Sequence, residues 1–224
     1  MEKVLGFKNY GSTPHLLNSR LGKHDKYITQ GQHDIIFKKP RKGDLFLVTE
    51  KYDGTNAGVA RVNGQLVALT RSGYLAKESE YEHYRIFAEW VQKYNHLFKG
   101  LPEGYRVIGE WMSKRISLLY TIHGEHALFV AYDGFNASNK RCEYISSFSG
   151  VLARGIAKGN EALNHDELCF RLFNVPRNQI YTFKPEGYVV KVFRNGVFDY
   201  QAKWVRDDFE AGLFLEDSKV NPVI

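Results

Sequence analysis

The chain has 224 residues, a formal net charge of +6 and a sequence pI of about 9.1, with 43% apolar and 25% charged residues. That length suits one sizeable domain with its own core, and the apolar content is that of a soluble globular protein. The basic balance argues for a polyanionic partner, and aromatics at 14% suit either a sheet core or a surface on which bases stack. Cys142 and Cys169 lack the paired spacing of a zinc site and are too few for a disulfide framework. The N-terminus lacks the apolar core of a signal peptide, and no stretch reaches the length of a transmembrane helix. The expectation is a soluble, cytoplasmic protein.

Residues 1–43 are rich in turn formers and bases and read as an N-terminal lid or loop region with short elements. Its run Lys38-Lys39-Pro40-Arg41-Lys42 is a solvated loop or an electrostatic path for nucleic acid. Asp44–Thr49 reads as a buried strand. Ala57–Val62 and Leu66–Thr70 form a hairpin around Asn63-Gly64, a strong two-residue turn signal. Leu75 to Phe98 is expected as one long helix, because Phe87, Trp90, Val91, Tyr94, Leu97 and Phe98 recur at helical spacing. Tyr105–Met112 and His126–Tyr132 are strand-like. Helices are expected around Ser147–Ala157 and Asp166–Phe173, with Pro176 closing the second. Gly187–Phe193 and Val197–Trp204 form a last hairpin around Arg194-Asn195-Gly196. The whole predicts an α+β domain, antiparallel sheets with packed helices.

The most informative segment is Glu50-Lys51-Tyr52-Asp53-Gly54-Thr55-Asn56. It places a lysine where a strand ends, beside a carboxylate and a glycine. A lysine is a weak nucleophile at its ordinary pKa of about 10.4 and needs cationic neighbours, burial or a metal to lose its proton. Taken alone, the tetrapeptide is as readily an ordinary strand-to-turn junction. Further segments follow in order: Thr70-Arg71-Ser72-Gly73, Val107-Ile108-Gly109-Glu110-Trp111, Leu128 to Gly134, Pro185-Glu186-Gly187 with Lys191, and Gln201-Ala202-Lys203-Trp204.

This series resembles the nucleotidyltransferase motifs of the covalent ligase and mRNA-capping superfamily, and RNA ligases most closely, because Asn56 follows the Lys-x-Asp-Gly unit. Tyr10 to Leu16 also resembles the start of some small bacterial and phage RNA ligase-like proteins. The resemblance implies one ligase-type nucleotidyltransferase domain (ATP-grasp-like) over 1–224, with a motif-bearing core at 44–204. It implies an ATP-dependent RNA ligase that joins a 5′-phosphate to a 3′-hydroxyl end of RNA, using ATP and magnesium or manganese. By that resemblance Lys51 attacks the α-phosphorus of ATP, while Asp53 and Asn56 organise the site around that phosphate and the later RNA 5′-phosphate. Glu50 lies against adenine, chiefly through its backbone. Arg71 contacts the ribose or the incoming phosphate, and Glu110 accepts from a ribose hydroxyl. Tyr132 stacks on adenine, with Phe129 as the rival. Glu186 positions the metal, and Lys191 and Lys203 meet the phosphates. His15 and Arg20 touch a terminal RNA phosphate.

Two features depart from the pattern. Gln201 stands where such ligases commonly carry the first lysine of Lys-x-Lys, and about twenty residues follow Lys203, too few for a C-terminal OB domain. The rival expectations are a minimal DNA ligase or other nucleotidyltransferase, and a non-catalytic module that binds RNA ends. The histidines, including His123 and His126, carry no expected metal site.

Overall fold

Burial alternates strictly along β1 (Asp44–Lys51), so Phe46, Val48 and Glu50 face one side while Lys51 faces the other. The computed structural model describes residues 2–22, 24–142, 148–174, 179–214 and 219–224. Its elements in chain order are α1 (Gln30–Phe37), β1, β2 (Thr55–Val62), β3 (Gln65–Thr70), α2 (Glu82–Lys93), β4 (Arg106–Trp111), β5 (Thr121–Ile122), β6 (Phe129–Phe135), β7 (Arg141–Cys142), β8 (Gly155–Gly159), α3 (His165–Phe173), β9 (Ile180–Tyr181), β10 (Gly187–Arg194) and β11 (Val197–Val205). Four strands form one sheet in the order β11-β10-β1-β8, and five form another in the order β3-β2-β4-β6-β7. β5 and β9 make a short third pair. Every pairing between these strands is antiparallel. The architecture is α+β.

Both expected hairpins form. Asn63 and Gly64 have φ of 51° and 75°, and Asn195 and Gly196 have 50° and 77°, the left-handed pairs that a two-residue turn between twisted strands demands. The expected helix Leu75–Phe98 is instead three pieces: a 3-10 turn at Ala76–Glu78, α2, and a second 3-10 turn at Asn95–Phe98. Ser79 breaks it, since its hydroxyl accepts from the Tyr81 amide at 3.2 Å and its own backbone is extended. Arg85 then takes the carbonyls of Ser79 and Glu80 at 2.7 and 2.8 Å. The apolar face survives the break: Phe87, Trp90, Val91, Leu97 and Phe98 all pack on the five-stranded sheet.

Two further expectations are corrected. His126–Leu128 belongs to a 3-10 turn at Glu125–Leu128, and strand begins at Phe129. The helix expected at 147–157 does not form over its described part, Ser147 itself lying outside the described residues. Residues 148–154 are irregular, and Gly155–Gly159 is the edge strand β8, bonded to β1. Three glycines at 150, 155 and 159 disfavour helix, and β1 needs a partner for its free backbone groups. The second helix is α3, whereas Pro176 lies outside the described residues. The N-terminal segment supplies α1, opened by a Thr29/Gln32 capping box, and buries Leu16, Ile28 and Ile36 against the four-stranded sheet. No described helix is long and apolar enough to cross a membrane.

The first residue of β10, Gly187, lies against β11 so closely that a Cβ there would sit 1.9 Å from the Trp204 carbonyl oxygen. That clash is with backbone and has no flexible relief. Gly187→Ala should therefore cost about 2–3 kcal/mol of stability, read as a lower denaturant midpoint at unchanged slope.

Candidate active site

The chain leaves the four-stranded sheet at Lys51 and enters the five-stranded one at Thr55. Gly54 makes that crossing possible. A Cβ on it would come within 2.7 Å of the Met112 sulfur and 2.9 Å of the Trp111 carbonyl oxygen, so close approach to β4 is what the position requires. Tyr52 is buried with Met112, Tyr120 and Ile122 beneath the crossing. The Asp53 carboxylate accepts from the amides of Ser117 and Leu118 at 2.7 and 3.0 Å, and its own amide donates to the Tyr120 hydroxyl at 3.1 Å. Asp53 thus ties the crossing to the loop after β4.

Between the two sheets lies a cavity of about 470 Å³. Thr49, Lys51, Val189, Lys191 and Lys203 line it from the first sheet; Asn56, Arg71, Glu110 and Tyr132 line it from the second. Tyr10, His83, Tyr84 and Lys114 add to the wall. The Lys51 ammonium donates to Glu186 Oε2 at 2.5 Å. Burial alone would lower the Lys51 pKa, but the charge and hydrogen bond of Glu186, with Glu110 and Asp53 beyond, outweigh it and raise it. Lys51 is thus an ion-paired ammonium. Glu186 is itself raised by burial, which the Lys51 charge opposes.

Glu110 is pushed up to about 8, by burial first and by the charges of Asp53 and Glu186. Its Oε1 accepts from the Tyr132 hydroxyl at 3.5 Å, while Oε2 has no hydrogen-bond partner among the described residues. The Asn56 Oδ1 is also buried without one. These oxygens could each accept from a ligand's donor. Among the described residues no three His, Cys, Asp or Glu side chains gather in a way that would hold a metal alone.

Behind the cavity Lys191 pairs with Asp133 at 2.8 Å, and Arg141 reaches the same carboxylate at 3.3 Å. Tyr10 donates to Asp133 at 2.6 Å. Gln201, directly opposite Lys191 in register, accepts from Arg141 at 2.8 Å and donates to Tyr10 and Thr13 at 2.9 and 2.6 Å. A lysine at 201 would bring a third cation to the single buried Asp133. The neutral amide fits because Arg141 is already there, and no sequence motif pointed to that arginine.

The strands bring together Lys51, Asn56, Arg71, Glu110, Tyr132, Lys191 and Lys203, with Glu186 on Lys51. Tyr132 lines the cavity, receives an Asn56 amide hydrogen bond and meets the Tyr10 ring edge-on at 5.5 Å. Phe129 does not belong to this group: it is fully buried among Phe87, Trp90, Phe98 and Phe148 on the other face of the sheet. The cause is strand alternation, since positions 129 and 132 are an odd number apart. Glu50 lines the cavity, but its carboxylate turns away to Arg154 Nε at 2.7 Å. His15 and Arg20 are also displaced from the expected phosphate contact. His15 is buried with both ring nitrogens engaged, and Arg20 donates to the carbonyls of Asp207 and Phe209.

Glu110 makes the fold pH-sensitive. Its folded pKa of about 8 stands above the ordinary 4.5, so its contribution to stability is full at low pH and is lost as pH rises through about 8. Glu110→Gln is neutral throughout. Its melting temperature should fall less steeply than that of the wild type between about pH 5 and about pH 8.

The profile of the RNA ligase family matches residues 44–205, from the first residue of β1 to the last of β11. No curated protein matches the chain in sequence. Among solved structures, an ATP- and Mn-bound variant of the Naegleria gruberi RNA ligase is 18% identical, covering 74% of this chain and 51% of that one, with a TM-score of 0.47. A second such variant is 16% identical over 89% of this chain and 61% of that one, at 0.49. An archaeal ATP-dependent RNA ligase is 14% identical over 88% and 48%, at 0.44. The chain thus spans about half to three-fifths of the length of these structures. A family match that takes in every strand of both large sheets settles the relationship: this chain belongs to the RNA ligase family.

Proposed function

We propose that the chain is an ATP-dependent RNA ligase that joins 5′-phosphate and 3′-hydroxyl ends through a lysyl-AMP and an RNA-adenylate. The observation that carries this reading is the convergence of Lys51, Lys191, Lys203 and Arg71 on one cavity of about 470 Å³, with unpartnered acceptor oxygens on Glu110 and Asn56. The cations suit a triphosphate and the acceptors suit a nucleoside. Solved relatives carry ATP or AMP with Mn in the structures named for them.

In the first step Lys51 Nζ gives one proton to solvent, attacks the α-phosphorus as the free amine, and gives a second proton to solvent as the phosphoramidate forms. A P–N bond forms, the P–O bond to the β-phosphate breaks, and pyrophosphate leaves. Lys191 and Lys203 face the negative charge that develops on the phosphate oxygens. Tyr132 offers its ring, and Glu110 its free oxygen, to the nucleoside.

The oxygen donors here fit magnesium or manganese: Glu186 is a buried carboxylate, and Glu110 keeps a buried oxygen without a hydrogen-bond partner among the described residues. Such ions take one or two carboxylates and complete their shell with water and phosphate. Glu186 would hold such an ion, which would supply positive charge against that carboxylate and the phosphates. Were the Glu186 charge so occupied, burial would be left to act on Lys51 and would favour the free amine. In the following steps the RNA 5′-phosphate takes the AMP, and the 3′-hydroxyl displaces it; Arg71, exposed at the rim, and Asn56 face that phosphate.

Incubation with α-labelled ATP and magnesium should label the protein covalently, and Lys51→Ala should reduce the label to background. Equal labelling of the alanine variant would remove Lys51 from the mechanism. Supplied with nicked and single-stranded RNA and DNA, the labelled protein should seal RNA; a preference for DNA nicks would overturn the RNA assignment.

A further inference from the structure

The segment before α1 lies along β11. The amides of Leu16 and Lys203 exchange hydrogen bonds with the carbonyls of Lys203 and Pro14 at 2.8 and 2.9 Å, and Ser19 Oγ accepts from the Val205 amide at 2.9 Å. This brings His15 beside Lys203, as a parallel bridge between the two residues records. His15 in turn exchanges backbone hydrogen bonds with Lys26 and Ile28, which brings in Asp25.

The side chains complete a chain of contacts. His15 Nε2 lies 2.7 Å from Asp25 Oδ2, and the same oxygen accepts from Lys203 Nζ at 3.3 Å. On its far side His15 Nδ1 lies 2.8 Å from the Ser19 hydroxyl. Burial lowers the His15 pKa, against the pull of Asp25. A neutral ring that donates from Nε2 to the carboxylate accepts at Nδ1 from Ser19, which satisfies both nitrogens. Neutral His15 leaves the Asp25 charge to be answered by Lys203, whose side chain is 17% exposed at the cavity wall.

We infer that His15 and Asp25 are positioning residues for Lys203, and that the N-terminal segment thereby serves nucleotidyl transfer instead of reading an RNA end. This rests on the ligase reading of the cavity. Ser19 and the neighbouring backbone fix His15, His15 fixes Asp25, and the carboxylate fixes the ammonium. A lysine on a long, rotamer-rich stem is thus held where it meets phosphate, so less ordering is left for substrate to impose.

Asp25 is part-exposed, so Asp25→Asn keeps the side chain's shape with little risk to folding. It should slow single-turnover formation of lysyl-AMP about tenfold, and Asp25→Glu should recover part of the rate. The decisive comparison is with Lys203→Ala. If Asp25 acts through Lys203, the double variant should be no slower than Lys203→Ala alone, whereas a purely structural Asp25 would multiply the two losses. A wild-type rate in Asp25→Asn, or multiplied losses in the double variant, would overturn the inference.

A second readout needs no turnover. In protein with 13C-methylated lysines, the Lys203 resonance should titrate at lower pH after Asp25→Asn. Asp25 and Glu186 raise the Lys203 pKa, while burial and Lys51 lower it. An unchanged midpoint would rule out the ion pair. Absence of lysyl-AMP in the wild type would count against the ligase reading, and this titration would still decide the pairing.

Discussion

One backbone crossing sets the geometry of the site. Between Lys51 and Thr55 the chain passes from one sheet to the other, pressed against the end of β4 where Gly54 leaves no room for a side chain. The crossing fixes the gap between the sheets, and the gap is the cavity. Strand alternation then decides which side chains enter it. On one wall Lys51, Lys191 and Lys203 follow from the register of β1, β10 and β11; on the other Asn56 and Glu110 sit directly opposite each other across β2 and β4. Asp53 contributes by bonding two amides of the next loop, a role in architecture.

The cavity is electrostatically poised, with buried carboxylates and cations each shifting the other. Lys51 is held as an ammonium by Glu186. On the proposed ligase reading, a ligand that took over the Glu186 charge would free Lys51, which would couple its reactivity to occupancy. Asp133 plays a complementary part behind the cavity, where one buried carboxylate serves both Lys191 and Arg141. Losing such a carboxylate would strand two cations, at a cost of about 3–5 kcal/mol.

Much of this was legible from local pattern. The two Asn-Gly turns, the alternation in β1 and the ordered motif residues needed only neighbouring sequence. What sequence did not reveal depends on distant contacts. Ser79 interrupts an apolar periodicity that α2 and its flanking turns still satisfy, and β8 is a strand because β1 offers it an edge. Phe129 and Tyr132 both suit adenine by residue type, yet a strand shows only one of them to the cavity. Arg141 and Asp25 carried no motif at all. Their partners lie 60 and 178 positions away, at Gln201 and Lys203, and only the folded register brings them together.

The strip of chain at residues 14–20 along β11 has another consequence. β11 is the outermost strand of its sheet, and such a strand presents a row of unpaired amides and carbonyls that can recruit another chain. The contacts from Pro14, Leu16, Ser19 and Arg20 occupy that row from Lys203 to Val205. The segment that brings Asp25 to Lys203 therefore also closes a sticky margin, and a protein stripped of it would be prone to self-association.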